Sequence, residues 1–168
     1  MKSRFFAAAI AAGIAVAVSG PALAHVTLEV KEAAIGSTYK AVLRVPHGCA
    51  GAATTGLRVQ IPEGFIAVKP MPKPGWTLEI KTGPYAKPYE NEGTTLSEGV
   101  TEIDWSGGNL PDAWYDEFVF RGTFAGGLEA GKFFFPVIQE CGDAVTRWID
   151  TSGTSDEPAP SVTLTPAK

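Results

Sequence analysis

Two histidines, His25 and His47, and two cysteines, Cys49 and Cys141, are the chain's whole stock of imidazole and thiol ligands. His25 follows Ala22-Leu23-Ala24, the small-x-small pattern read by signal peptidase. Upstream, Lys2 and Arg4 form a positive start, Phe5 to Val18 is an uncharged apolar run, and Ser19-Gly20-Pro21 breaks it. That run is shorter than the roughly 20 residues needed to span a bilayer. The expectation is a signal peptide over residues 1–24, cleavage after Ala24, and export to the periplasm. Cleavage would make His25 the first residue. Its free α-amine and imidazole Nδ1 could then close a six-membered chelate on one metal ion. The plainer reading is that His25 is an accident of the cleavage point at a frayed terminus.

Two nitrogens in a tight chelate favour Cu(II), which tops the divalent affinity series for nitrogen and oxygen sites. Zinc ordinarily takes three or four protein ligands. Cu(I) would want thioethers or thiols, and only Met71 remains after export. Oxygen ligands are plentiful: Glu29, Glu32, Glu63, Asp104, Asp112, Asp116, Glu117 and Glu140 all qualify, and composition does not choose among them. In the strand expected from Tyr115 to Arg121, Asp116 shares a face with Phe118 and Phe120, and Glu117 lies with Tyr115 and Val119 on the other. The ordinary fate of each carboxylate is a solvated strand position.

Cys49 and Cys141 are most simply a disulfide in an oxidising compartment. Closing so long a loop stabilises by about 4–5 kcal/mol on chain-entropy grounds. The alternative is a blue-copper site of two His and one Cys, which normally adds an axial Met.

The elements that must hold these residues read as strands. Val26-Leu28-Val30, Tyr39-Ala41-Leu43-Val45, Leu57-Val59-Ile61 and Trp76-Leu78-Ile80 alternate apolar with polar, as do Ile103 with Trp105, Phe118-Phe120, Phe133-Phe135-Val137 and Val162-Leu164. Turns are expected at Pro46-His47-Gly48, Pro62-Glu63-Gly64, Pro72-Lys73-Pro74-Gly75, Ser106-Gly107-Gly108-Asn109 and Gly126-Gly127. The polar, Pro- and Gly-rich stretch from Lys81 to Gly99 reads as a long surface connection. The pattern predicts a single all-β domain over 25–168, an antiparallel β-sandwich.

The chain has 168 residues and a net charge of −4, which loss of Lys2 and Arg4 would take to −6. No basic stripe is available to displace counterions, which argues against a nucleic-acid partner. After residues 1–24 no second apolar stretch reaches membrane length.

In sequence order, Ala24-His25-Val26-Thr27, Val45-Pro46-His47-Gly48-Cys49, Ala53 to Phe65, Pro74-Gly75-Trp76, Trp105-Ser106-Gly107-Gly108, Leu110-Pro111-Asp112, Tyr115-Asp116-Glu117-Phe118, Phe135 to Cys141 and Trp148 resemble the YcnI-like domain of exported bacterial copper proteins. The resemblance covers nearly all of the chain after residue 24. It implies an immunoglobulin-like or cupredoxin-like sandwich holding one Cu(II) per chain through a monohistidine brace. His25 would supply amine and imidazole nitrogens, Glu117 an oxygen, and Trp148 would sit beside the metal. It implies a periplasmic metallochaperone or copper-homeostasis protein rather than an enzyme, with a copper chaperone or membrane copper transporter as partner. Family members often carry a C-terminal membrane helix; no such stretch occurs here, and a free periplasmic form is expected.

Two other readings compete. If His47 joined His25 on one copper, the arrangement would resemble a lytic polysaccharide monooxygenase, although the family pattern does not make His47 a ligand. A metal-free sandwich could instead bind another envelope protein through its edge strands.

Overall fold

Alternating β-branched and aromatic residues build the strands of a computed structural model that describes residues 25–167. The expected signal peptide, residues 1–24, lies outside the described residues. In chain order the strands are β1 (Thr27–Leu28), β2 (Glu32–Ala34), β3 (Thr38–Val45), β4 (Thr54–Gln60), β5 (Phe65–Pro70), β6 (Thr77–Asn91), β7 (Thr94–Leu110), β8 (Asp116–Phe124), β9 (Gly131–Phe134), β10 (Val137–Cys141), β11 (Ala144–Trp148) and β12 (Ser161–Thr165). Among the described residues no helix is long and apolar enough to cross a membrane.

One sheet runs β1-β3-β8-β5, a second β11-β10-β4-β7-β6, and a small third β2-β12-β9. Pairing is antiparallel except between β2 and β12. Leu43, Val45, Phe118 and Phe120 of the first sheet share one core with Leu57, Val59, Ile103, Trp105 and Val137 of the second. Each such side chain contributes roughly 1.5–3 kcal/mol by leaving water. Phe65 sits among Phe120, Phe124 and Phe135 at centroid distances of 6.0, 4.8 and 5.2 Å. The period of two holds along β3: Ala41, Leu43 and Val45 join the core cluster, while Lys40, Val42 and Arg44 do not.

Two expectations about connections fail for physical reasons. Lys81 to Gly99 is not a loop but the paired arm of β6 and β7, turning at Glu92 and Gly93, both at positive φ. Most of this arm is solvated on both faces, so no apolar alternation marks it, and Pro84 falls at a register shift. Ser106-Gly107-Gly108-Asn109 is strand, not turn. Gly108 lies under the Trp76 indole, where an added Cβ would come within 2.0 Å of the ring. The glycine is a seat for that indole, which packs edge-on against Phe118 at 4.9 Å. The expected strand through Phe133 and Val137 divides at Phe135-Pro136, β2 and β11 are short, and β5, though apolar, loses simple alternation at the register shift between Ile66 and Lys69.

Candidate metal centre

His25 stands two residues before β1, an edge strand whose Thr27 pairs with Arg44 of β3. Its imidazole Nε2 lies 3.0 Å from the carbonyl oxygen of Asp156. A carbonyl only accepts, so Nε2 carries the proton and donates. In the neutral ring this leaves Nδ1 as a bare lone pair. Trp148, at the end of β11, meets the imidazole edge-to-face with centroids 5.4 Å apart and planes at 73°.

Trp148 is fixed from behind. It is buried, and its Nε1 donates to Gln139 Oε1 at 3.0 Å. Gln139, 1% exposed, donates from Nε2 to the His47 carbonyl and to Thr54 Oγ1, both at 2.8 Å. A buried amide with both ends engaged is costly to disturb and therefore holds the indole in one place. The same region is closed covalently by the Cys49–Cys141 disulfide, with Cα atoms 5.8 Å apart. The cysteines are thus not thiolate ligands.

The Asp156 side is shaped by Asp150. Its carboxylate accepts from the Ser152 hydroxyl at 2.6 Å and from the amides of Ser152, Gly153, Thr154 and Ser155 at 3.1, 2.9, 3.2 and 3.3 Å. The Ser152 hydroxyl first, then the amides of Ser152, Ser155 and Gly153, hold the Asp150 carboxyl down at about 2. The Asp150 main chain ties the turn back through Glu157 and Ala159 at 3.2 and 2.7 Å.

Glu117 is the second residue of β8, on the outer face, opposite Arg44, which is itself opposite Thr27. Glu117 and Thr27 are therefore two strand spacings apart, about 10 Å. The Glu117 carboxylate accepts from the Tyr115 hydroxyl. Lost solvation, then that bond, push the Tyr115 phenol up to about 12. Lys73 donates to the Glu117 carbonyl at 3.0 Å and pairs with Asp116 at 2.7 Å. The fold thus brings His25 and Trp148 into contact and holds Glu117 against Tyr115, on the sheet that β1 edges. Among the described residues no three His, Cys, Asp or Glu side chains converge; a brace draws one nitrogen from the main chain and needs fewer.

His47 lies in the turn before Cys49 with Nδ1 2.5 Å from the Gly48 carbonyl, to which it donates. Its main-chain carbonyl is linked to Trp148 through the two ends of Gln139. Sequence reasoning gave no role to Gln139, Asp150 or Asp156. Gln139 did leave a signal, a polar residue in the inward row of Val137 and Cys141. Asp156 left none, because it contributes a main-chain oxygen.

Residues 25–164 match the family described as "Domain of unknown function (DUF1775)". Among solved structures, a protein described as "Crystal structure of an uncharacterized protein from Nocardia farcinica reveals an immunoglobulin-like fold" is similar at 26% identity, over 86% of this chain and 99% of that one, with a TM-score of 0.59. No curated protein matches the sequence. Motifs, fold and matched span agree: the chain belongs to the DUF1775 family, the YcnI-like domains, and folds as an immunoglobulin-like all-β sandwich.

Proposed function

We propose that this is an exported Cu(II)-binding protein of the periplasm, working in copper homeostasis as a metallochaperone, with copper as cargo and no catalysis. The observation that carries the reading is the bond from His25 Nε2–H to the Asp156 carbonyl. Metal-binding histidines commonly donate their second ring N–H to a carbonyl or carboxylate, which fixes the tautomer. Here it frees Nδ1, the nitrogen that chelates together with an α-amine. The donor chemistry therefore fits Cu(II): amine and imidazole from His25, an oxygen from Glu117, and the Trp148 indole alongside. Binding would displace a proton from an amine whose ordinary pKa is about 7.7–8, so affinity falls as pH drops below that range. A site at a chain terminus can open without disturbing the sandwich, which suits transfer to a periplasmic copper chaperone or membrane copper transporter.

The test is a Cu(II) titration of protein beginning at His25, with EPR hyperfine structure counting nitrogens. One equivalent bound through two nitrogens is expected. Adding one Gly before His25 should weaken binding by at least about 100-fold with an unchanged Tm, since the amine becomes an amide. Glu117→Gln should weaken it about tenfold without unfolding. Equal affinity in the Gly-extended protein would overturn the brace, and three nitrogens would shift the reading to a two-histidine centre with His47.

A further inference from the structure

Away from the His25 end, the outer face of the β1-β3-β8-β5 sheet carries an unusual row. Pairing register sets Lys40 opposite Arg121, and Arg121 opposite Lys69. Three exposed cations therefore stand side by side on three adjacent strands, spanning about 10 Å. Like charges directly opposed across a sheet destabilise it. Among the described residues none of the three forms an ion pair with a carboxylate, so their opposition is not relieved within the sheet. The chain as a whole is acidic, with 18 Asp and Glu against 14 Lys and Arg. An uncompensated basic row is thus not a by-product of composition.

Beside the row lies a groove of about 320 Å³ with a mainly apolar lining that includes Val119, Met71 and Pro72. Met71 is 52% exposed, yet its N–H is tied to the Val119 carbonyl at 2.8 Å, so the groove wall is built onto the sheet. Cations along one side and a polarisable thioether on the other suit a ligand that is itself acidic and apolar by turns.

We propose that this face docks an extended acidic segment of a partner protein, its carboxylates on Lys40, Arg121 and Lys69 and an apolar side chain against Val119 and Met71. An anionic bilayer fits less well. Polybasic membrane sites use about 4–8 cations, and the net negative charge of this chain opposes approach to such a surface. The proposal is independent of copper.

The test uses the whole mature protein and a fluorescein-labelled ten-residue peptide of Glu and Asp with a central Leu pair, read by anisotropy. Saturable binding is expected, weakened at least about tenfold by Lys69→Gln with Arg121→Gln, and by raising salt to about 0.5 M. Met71→Ser should weaken it less, and a Lys-for-acid version of the peptide should not bind. Removing the cations relieves repulsion on an exposed face, so Tm should hold or rise, and misfolding cannot pass for lost binding. Binding unchanged by the charge substitutions would overturn the proposal. So would capture by phosphatidylglycerol vesicles without peptide binding, or charge-dependent self-association in sedimentation in place of peptide binding.

Discussion

Among the described residues Gln139 is one of two buried polar side chains, with Thr54, and it is the hub behind the imidazole–indole contact. Replacing it by leucine would strand the Trp148 N–H and the His47 carbonyl, each costing about 1–3 kcal/mol when left unpaired. Gln139→Leu is therefore expected to destabilise the domain by about 3 kcal/mol in urea unfolding and to shift Trp148 fluorescence. Trp148→Phe keeps the ring contact with His25 but drops the N–H, and should lose less. Equal stability for Gln139→Leu and wild type would mean that the amide is no hub. Residue types pointed to His25 alone; Glu117 and Trp148 came from the family resemblance, and His25 and Trp148 do meet. What could not be read is support supplied by main-chain atoms, such as the Asp156 carbonyl, because no side chain marks it.

Among the elements, the short edge strand β1 depends on help from β3. Tyr39 donates its hydroxyl to the Val30 carbonyl at 2.5 Å, holding the β1–β2 connection down. Burial first, then the charge of Glu29, push this phenol up to about 12. A phenol whose folded pKa lies above its unfolded value of about 10 contributes stability that is complete below pH 10 and lost as pH rises toward 12. Urea unfolding at pH 8 and pH 11 should show that loss, to which Tyr115 adds, and Tyr39→Phe should make it smaller while lowering stability at pH 8 by about 1 kcal/mol. A pH response identical in the two proteins would refute the assignment. Elements were legible where one face is buried, as in β3, β4 and β8, because period-2 alternation is the imprint of a half-buried strand. The β6–β7 arm escaped because its outer half buries neither face. There a glycine serves a neighbour rather than a turn: Gly99 lies beneath Tyr85, whose hydroxyl would stand 1.7 Å from an added Cβ.

At the scale of the whole molecule, the strongest long-range tie is the bond between Cys49 and Cys141, 92 residues apart. It joins the His47–Cys49 turn to the end of β10, the strand that carries Gln139. Replacing both cysteines with serine should cost about 4–5 kcal/mol, and Tm should fall on the order of 10–20 °C in differential scanning calorimetry. A loss below about 1 kcal/mol would mean that the reduced chain is already constrained there.

The position of that bond carries a further consequence for the order of events in the cell. On the proposed reading, two covalent changes precede copper: a peptide bond breaks to release the His25 amine, and two thiols join beside the Gln139–Trp148 support. Both belong to the far side of the membrane. A newly made chain still in the cytosol would have neither a free amine nor a clamped indole. It would not yet hold the brace as it passes through that compartment, so the address of the protein would be built into the chemistry that arms it.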